Sequence, residues 1–197
     1  ETSSESPAPG GGSVSAYTGS LGVALGTMVA NLSSHKRGWD ERWEEFSGWA
    51  EKGKAIQEKL LTLVDEDTRA FNAILSAFRL PKDTEEEKKE REKAIEAATL
   101  YAIRVPFEVM KTAHAGFGVV GAMVEKGNPS SVTDAGVGAL ALHAAVEGAW
   151  LNVVVNSSDL KSREEVKQML KEGEALKRKS DQEKKRILDL MFQKMKH

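Results

Sequence analysis

The sequence contains no cysteine, which excludes disulfide bonds, a thiolate nucleophile and cysteine-ligated metals. Its 28 basic and 30 acidic side chains nearly balance, with a formal net charge of −2, so no excess positive charge points to nucleic acid. Residues 1–6 are acidic and polar and lack the basic region of a secretory signal. We therefore expect a cytoplasmic protein without a nucleic-acid partner.

Strand patterns and metal motifs are also missing. Apart from residues 153–155, no window alternates apolar and polar residues with the period of two that predicts a strand. The four histidines are His35, His114, His143 and His197. They show no metal-ligand spacing and form no HExxH motif, so we expect no metal site. No serine nucleophile elbow is present. The glycine-rich stretch is not a Walker loop, because it lacks the lysine that such a loop requires.

What the sequence does contain is a glycine segment (residues 10–13) that leads into a charge-free helix. Gly10, Gly11 and Gly12 precede Ser13, a favourable N-cap for a helix over residues 13–33. Glycine permits close approach to the backbone, and the free N–H groups of a first helical turn favour an anion or an electron-rich heteroatom. The segment is predicted to face a ligand; the alternative is a flexible leader and a cap.

Small residues recur along one side of this first helix: Gly19, Gly22, Gly26 and Ala30. Their spacings of three and four predict the close approach of a second helix. Residues 14–34 carry no charge. Their hydroxyl groups and glycines argue against a membrane span and favour the buried centre of a helical bundle.

Apolar periodicity predicts further helices over residues 52–80, 84–125, 134–152 and 162–196, after a mobile lead-in over residues 1–9. Residues 39–49 are predicted to form a short amphipathic helix or an oligomer contact, and Pro106 to kink or restart its helix. The C-terminal helix, within residues 160–197, is expected to be exposed or to face a partner.

These patterns predict an all-α bundle of long antiparallel helices in one domain covering residues 1–197. The first helix and the one after Asp134 are rich in small residues. We expect them to pack against each other or across a two-fold axis. The close-packing helices and the tryptophan-rich amphipathic stretch exceed what the core of one domain needs, so we predict a homo-oligomer, at least a dimer.

Two carboxylates are candidates for acid/base chemistry. Asp134 begins an apolar helix and Asp67 lies between apolar turns of another. A partly buried carboxylate suits proton transfer, whereas the alternatives are a simple helix cap for Asp134 and a solvated charge for Asp67. Lys36, beside Arg37 at the end of the first helix, could hold a carboxylate chain or be a surface cation.

A series of short motifs runs in order through about Asn156. They are SPAPGGGS (residues 6–13), MVANL (28–32), DED with AF (65–67 and 70–71), LPK (80–82), VP (105–106), GNPSSVTDAGVGAL (127–140), EGA (147–149) and LNV (151–153). Together they closely resemble the formiminotetrahydrofolate cyclodeaminase family, which includes methenyltetrahydrofolate cyclohydrolase relatives. The resemblance implies an all-α, oligomeric enzyme, often the C-terminal half of a bifunctional formiminotransferase-cyclodeaminase. A start at Glu1 suits an excised domain or a trimmed independent protein.

The resemblance also implies a reaction. N10 of 5-formiminotetrahydrofolate attacks the formimino carbon, ammonia leaves, and 5,10-methenyltetrahydrofolate forms without a metal or redox cofactor. One carboxyl group can serve as base and then as acid. The resemblance implies Asp134 for this role, with Asp67 second. The glycine segment would bind the pterin or shape the pocket, with Asn31 as a hydrogen-bond partner and Lys36 on the glutamate or polyglutamate tail.

Two other functions stay open. A methenyltetrahydrofolate cyclohydrolase would add water to the same carbon in the same pocket. A non-catalytic helical assembly module would use the small-residue helices and residues 39–49 to build an oligomer, but it has no need of the three glycines or of Asp134. Beyond Asn156 the sequence matches no motif, and residues 154–155 are two valines where the family pattern suggests a cation followed by isoleucine.

Overall fold

Five long α-helices make up this computed structural model, which describes residues 2–6 and 8–196. They are α1 (Gly11–Ser34), α2 (Trp43–Phe78), α3 (Glu85–Lys126), α4 (Val132–Asn156) and α5 (Glu164–Lys194), with 3₁₀ turns at Asp40–Arg42 and Pro129–Ser131. The described residues contain no strand, which confirms the all-α prediction. Three residues named above lie outside the described residues. They are Glu1 of the lead-in, Pro7 of the first motif and the histidine His197.

The pair α1 and α4 forms the centre of the bundle. A Cβ on Gly22 would lie 2.9 Å from the carbonyl oxygen of Gly138, and a Cβ on Gly138 would lie 2.7 Å from that of Gly22. The helices are antiparallel, because Gly11 lies beside Asn152 at one end. The predicted packing of these two small-residue helices against each other is confirmed, since only glycine permits this backbone separation.

The outer side of α1 differs from the prediction of a helix buried on most sides. Tyr17, Leu21 and Leu32 are 52%, 49% and 45% exposed. On α4, Leu151 and Val155 are 67% and 64% exposed. These side chains form an apolar surface, here called the outer seam, that no other element of the described chain covers. The expectation of burial was wrong because one chain supplies neighbours for only one side of the α1–α4 pair.

The tryptophan-rich region does not form a separate short helix. A 3₁₀ turn leads directly into α2 at Trp43, which then runs unbroken to Phe78. Trp39 stacks on Phe46 with ring centroids 5.5 Å apart. Phe46 is fully buried, so this region contributes to the core.

Helix α3 begins as predicted and continues through Pro106 to Lys126. Thr84 caps it, with its hydroxyl accepting from the Glu87 N–H and the Glu87 carboxylate accepting from the Thr84 N–H. Pro106 lies inside the helix and is buried, and the helix does not restart there. Packing of the buried neighbours Val105 and Phe107 holds the chain helical despite the missing N–H.

The apolar face of α5 is used within the chain. Val166, Met169, Ile187 and Met191 are buried in the common core. The expectation of an exposed or partner-facing helix was therefore wrong for this face, because α3 and α4 cover it.

By length and composition, Pro129–Asn156 is the one stretch among the described residues that could cross a membrane. It packs against α1, α3 and α5.

Candidate active site

A small cavity of about 150 Å³ lies where α1 begins, between the glycine segment and three other helices. Its walls are Ala8 and Gly10 before α1, Asp67, Ala70, Phe71 and Ile74 of α2, Ala102 of α3, and Asn152 and Asn156 of α4. The antiparallel arrangement places the end of α4 beside the start of α1. The cavity therefore combines polar groups that are far apart in the sequence.

Asp67 is held against the first turn of α1. Its Oδ2 accepts the Ser13 backbone N–H at 2.7 Å and the Ser13 hydroxyl at 2.8 Å. Gly10 is the N-cap residue and offers no side-chain acceptor, so the prediction that Ser13 caps α1 was wrong. A carboxylate from α2 does this instead, at the end of the helix where the backbone dipole favours negative charge.

The second oxygen of Asp67 has no hydrogen-bond partner among the described residues. Oδ2 takes both Ser13 bonds, and Oδ1 lies against the Cα of Gly12, where a Cβ would stand 2.6 Å from the Asp67 carboxyl carbon. Gly12 is therefore required by the approach of this carboxylate rather than by an unusual backbone angle. The geometry leaves Oδ1 free to exchange a proton with a bound molecule.

The acidic neighbours of Asp67 have other environments. Glu66 accepts a hydrogen bond from the Tyr101 hydroxyl and pairs with Arg69. The Tyr101 hydrogen bond, followed by that of Arg69, holds the pKa of Glu66 below its ordinary value. Asp65 is exposed. Of these three consecutive carboxylates, Asp67 is the one that lines the cavity.

Asn152 and Asn156 are polar cavity residues that sequence reasoning did not single out. Each amide nitrogen is already used: Asn152 Nδ2 donates to the Gly148 carbonyl at 2.9 Å, and Asn156 Nδ2 donates to the Ala102 carbonyl at 2.8 Å. The two side-chain oxygens have no such partner within the described chain. A sequence signal existed, because two amides one turn apart end an otherwise apolar helix.

Among the described residues, those that line the cavity offer oxygen acceptors and no cationic side chain. Asp67 supplies a carboxylate, Asn152 and Asn156 supply amide oxygens, and the other lining residues are apolar or glycine. Such a lining favours a bound group that carries hydrogen-bond donors and positive charge.

The other predicted site residues lie at the opposite end of the α1–α4 pair. Asn31 is 18 residues after Ser13 on α1, about 27 Å along the helix. It lines an open groove with Met28, Leu32 and His35 among others. The Lys36 ammonium lies 4.1 Å from the ring centre of Trp39. Within one chain, neither residue meets the glycine segment.

Asp134 is also at this far end. It lies in the first turn of α4, about 27 Å along the helix from Asn152. Among the described residues it forms no hydrogen bond and no ion pair. Of the predicted site residues, one chain therefore brings together Asp67, Gly10, Gly11, Gly12 and Ser13, and it keeps Asp134, Asn31 and Lys36 apart from them.

A family model described as formiminotransferase-cyclodeaminase matches residues 1–175 of the chain. The chain is 35% identical over 173 residues to methenyltetrahydrofolate cyclohydrolase of Methylorubrum extorquens, covering 88% of this chain and 83% of that protein. It is 34% identical over 180 residues to formimidoyltransferase-cyclodeaminase of Rattus norvegicus, but that match covers only 33% of the rat protein.

A solved structure shares the fold. The crystal structure of formiminotetrahydrofolate cyclodeaminase from Thermotoga maritima superposes with a TM-score of 0.78 at 27% identity, covering 95% of this chain and 91% of that one. The similarity therefore extends over nearly all of the five-helix arrangement.

Proposed function

Because the chain belongs to the formiminotransferase-cyclodeaminase family, we propose that it is a formiminotetrahydrofolate cyclodeaminase with Asp67 as its acid/base group. The observation that carries this proposal is the free Oδ1 of Asp67 in an acceptor-lined cavity at the start of α1. Asp67 thus takes the principal acid/base role. A catalytic role for Asp134 stays a prediction, and it requires a second subunit.

The reaction needs one proton acceptor that later becomes a donor. Asp67 Oδ1 takes the N10 proton as N10 bonds to the formimino carbon. The same proton then goes to the formimino nitrogen, the carbon–nitrogen bond breaks, and ammonia leaves. Ser13 keeps Oδ2 occupied throughout, so the proton is exchanged at one defined oxygen.

The charge of the reacting groups fits the lining of the cavity. A formimino group on nitrogen is an amidine, which is protonated and cationic near neutral pH, and the methenyl product is also a cation. The Asp67 carboxylate and the oxygens of Asn152 and Asn156 would stabilise this positive charge. No lysine or arginine among the described residues lines the cavity and would oppose it.

Methenyltetrahydrofolate cyclohydrolase is the second candidate activity. Its substrate is the same methenyl cation, so the acceptor lining suits it equally. The identity to the Methylorubrum extorquens protein, over 83% of its length, favours this alternative.

The volume of the cavity supports the predicted homo-oligomer. At about 150 Å³ it is smaller than the roughly 300–1,000 Å³ of most ligand sites, so it can enclose the reacting atoms but not a folate. The outer seam begins beside it, since Leu151 and Val155 directly precede Asn152 and Asn156. We propose that a second copy covers the outer seam and extends the wall of the site.

This oligomer has a direct test. Leu151→Glu would place a charge on the seam, and we expect light scattering at micromolar concentration to report a smaller assembly with reduced activity. Leu80→Glu is the matched control, because Leu80 is also exposed but lies just beyond α2, where it lines a groove between α2 and α3. A wild-type monomer would contradict the proposal.

A two-fold pairing of antiparallel seams would also give Asp134 a place. It would bring the far end of α1 and α4 of one subunit towards the cavity of the other. If Asp134→Asn proves inactive as well as Asp67→Asn, mixing the two proteins would then restore activity, because some mixed assemblies contain one intact site. Asn31 and Lys36 would share this arrangement.

Three further expectations stay predictions: a polyglutamylated folate as substrate, a formiminotransferase domain or protein as partner, and a cytoplasmic location.

The assay that tests the function compares two substrates. With 5-formiminotetrahydrofolate, a cyclodeaminase produces methenyltetrahydrofolate absorbance and ammonia together, above the spontaneous rate. With 5,10-methenyltetrahydrofolate, a cyclohydrolase removes that absorbance. Activity on neither substrate by the folded oligomer would overturn both functions and favour the non-catalytic assembly module.

A further inference from the structure

We propose that His143, Glu147 and Asp181 form a site for a divalent transition metal of the zinc class, which joins α4 to α5. One ligand atom from each side chain lies within 4.8 Å of the other two. His143 Nε2 is 2.8 Å from Asp181 Oδ1 and 4.0 Å from Glu147 Oε1. No residue of this cluster lines the candidate active site.

Two of the three ligands are positioned by a single helix. His143 and Glu147 are one turn apart on α4, so their side chains leave the same face. That face is turned towards α5, because Trp150, one turn further along α4, contacts Gly173 of α5. Asp181 comes from α5, 38 residues away in sequence. The search for histidine-based motifs missed this site, since a carboxylate from another helix completes it.

The spacing suits a tetrahedral ion after small side-chain movements. Zinc bound at about 2.0–2.1 Å to nitrogen and oxygen requires its ligand atoms to be about 3.3 Å apart. The observed separations of 2.8 and 4.0 Å lie on either side of this value. Rotation of the Asp181 side chain, which is 49% exposed, can adjust them without moving a helix.

A cation already lies among these groups. The Lys184 ammonium is 3.0 Å from His143 Nε2 and 3.2 Å from Asp181 Oδ1. Lys177 lies 3.4 Å from Glu147 Oε1. The cluster therefore holds positive charge through a histidine nitrogen and a carboxylate oxygen. A metal would displace Lys184, whose long side chain can turn to solvent.

The donor set indicates the chemical class of the ion. One imidazole and two carboxylates favour zinc and neighbouring transition metals over calcium or magnesium, which prefer oxygen alone. Three protein ligands leave a fourth position for water. Because the ligands belong to two helices, the bound ion would stabilise the docking of α5 on α4.

The test uses the chelator-treated full chain and zinc chloride as the probe. Calorimetry should show one site per chain, and zinc should raise the melting temperature. His143→Ala and Asp181→Asn should each weaken binding by at least about tenfold. His35→Ala is the control for an exposed histidine outside the cluster and should bind zinc as the wild type does.

Lys184→Met provides the sharper comparison. If the ammonium competes for the same ligands, its removal should tighten zinc binding by about tenfold, whereas adventitious surface binding would be unchanged. Absence of zinc binding by the wild type, or equal binding by the His143→Ala protein, would overturn the proposal. Asp181 is half exposed, so Asp181→Asn remains informative if another variant fails to fold.

Discussion

The two ends of the α1–α4 pair carry similar chemical groups in different surroundings. At the start of α1, Asp67 from α2 is held by Ser13 beside a cavity closed by four segments of the chain. At the far end, Asp134 forms no polar contact within the described chain, and Asn31 lines an open groove. The fold therefore fixes one oxygen of Asp67 beside the cavity, whereas it fixes neither oxygen of Asp134.

The comparison also shows how one helix terminus can serve two purposes. Asp67 satisfies the N–H group of Ser13, which stabilises α1 as a cap by roughly 0.5–2 kcal/mol. The same contact orients Oδ1 towards the cavity. Asp134 has the sequence context of a cap but forms no hydrogen bond to the amides of its own helix.

The largest expected difference is in kcat, between the Asp67→Asn and Asp134→Asn variants. The first should lower kcat by about 10²–10⁴-fold, because an amide cannot exchange the proton. Its carbonyl oxygen can still accept the Ser13 bonds, so circular dichroism and thermal melting should stay near wild type. Loss of activity in Asp134→Asn alone would reverse our assignment, and loss in both would require a site shared between subunits.

A smaller effect should separate two adjacent glycines at the cavity end of α1. In Gly12→Ala the new methyl group overlaps the Asp67 carboxyl group, so we expect at least a tenfold loss of kcat/KM and about 1–3 kcal/mol of stability. In Gly11→Ala the Cβ would lie 3.4 Å from Asn152 Nδ2, an ordinary contact, and activity should be kept. Activity assays and denaturant unfolding of both variants would measure these effects. Equal activity of the two variants would show that catalysis does not need the close contact between Gly12 and Asp67.

The smallest effect concerns the amides at the two ends. Asn156→Ala removes an oxygen acceptor from the cavity and should raise KM by about tenfold, equivalent to about 1.4 kcal/mol. Asn31→Ala, at the far end, should leave KM unchanged if the site lies within one chain. Steady-state kinetics of the two variants measures this, and a raised KM in Asn31→Ala would indicate that the far end of a partner reaches the substrate.

Local patterns were sufficient for most of the helices. The Thr84 cap, the small residues around Gly22 and the apolar periodicity of α5 act over one or two turns, so these helices can be predicted from neighbouring residues. Where the apolar face of α5 packs could not be predicted in this way. Sequence reasoning was wrong on Ser13 as the cap of α1. The acceptor that replaces it is 54 residues away, and a side chain contributed by another helix leaves no local pattern.

Turn-by-turn periodicity and glycine spacing are therefore enough to predict a bundle of long helices with close contact between α1 and α4. Which carboxylate meets the glycine segment depends instead on how the helices pack. Periodicity gives the face of a helix but not its neighbour or the alignment of their ends. The antiparallel packing joins Asp67, Ser13 and Asn152 into one cavity and leaves Asp134 about 27 Å along the helix from it.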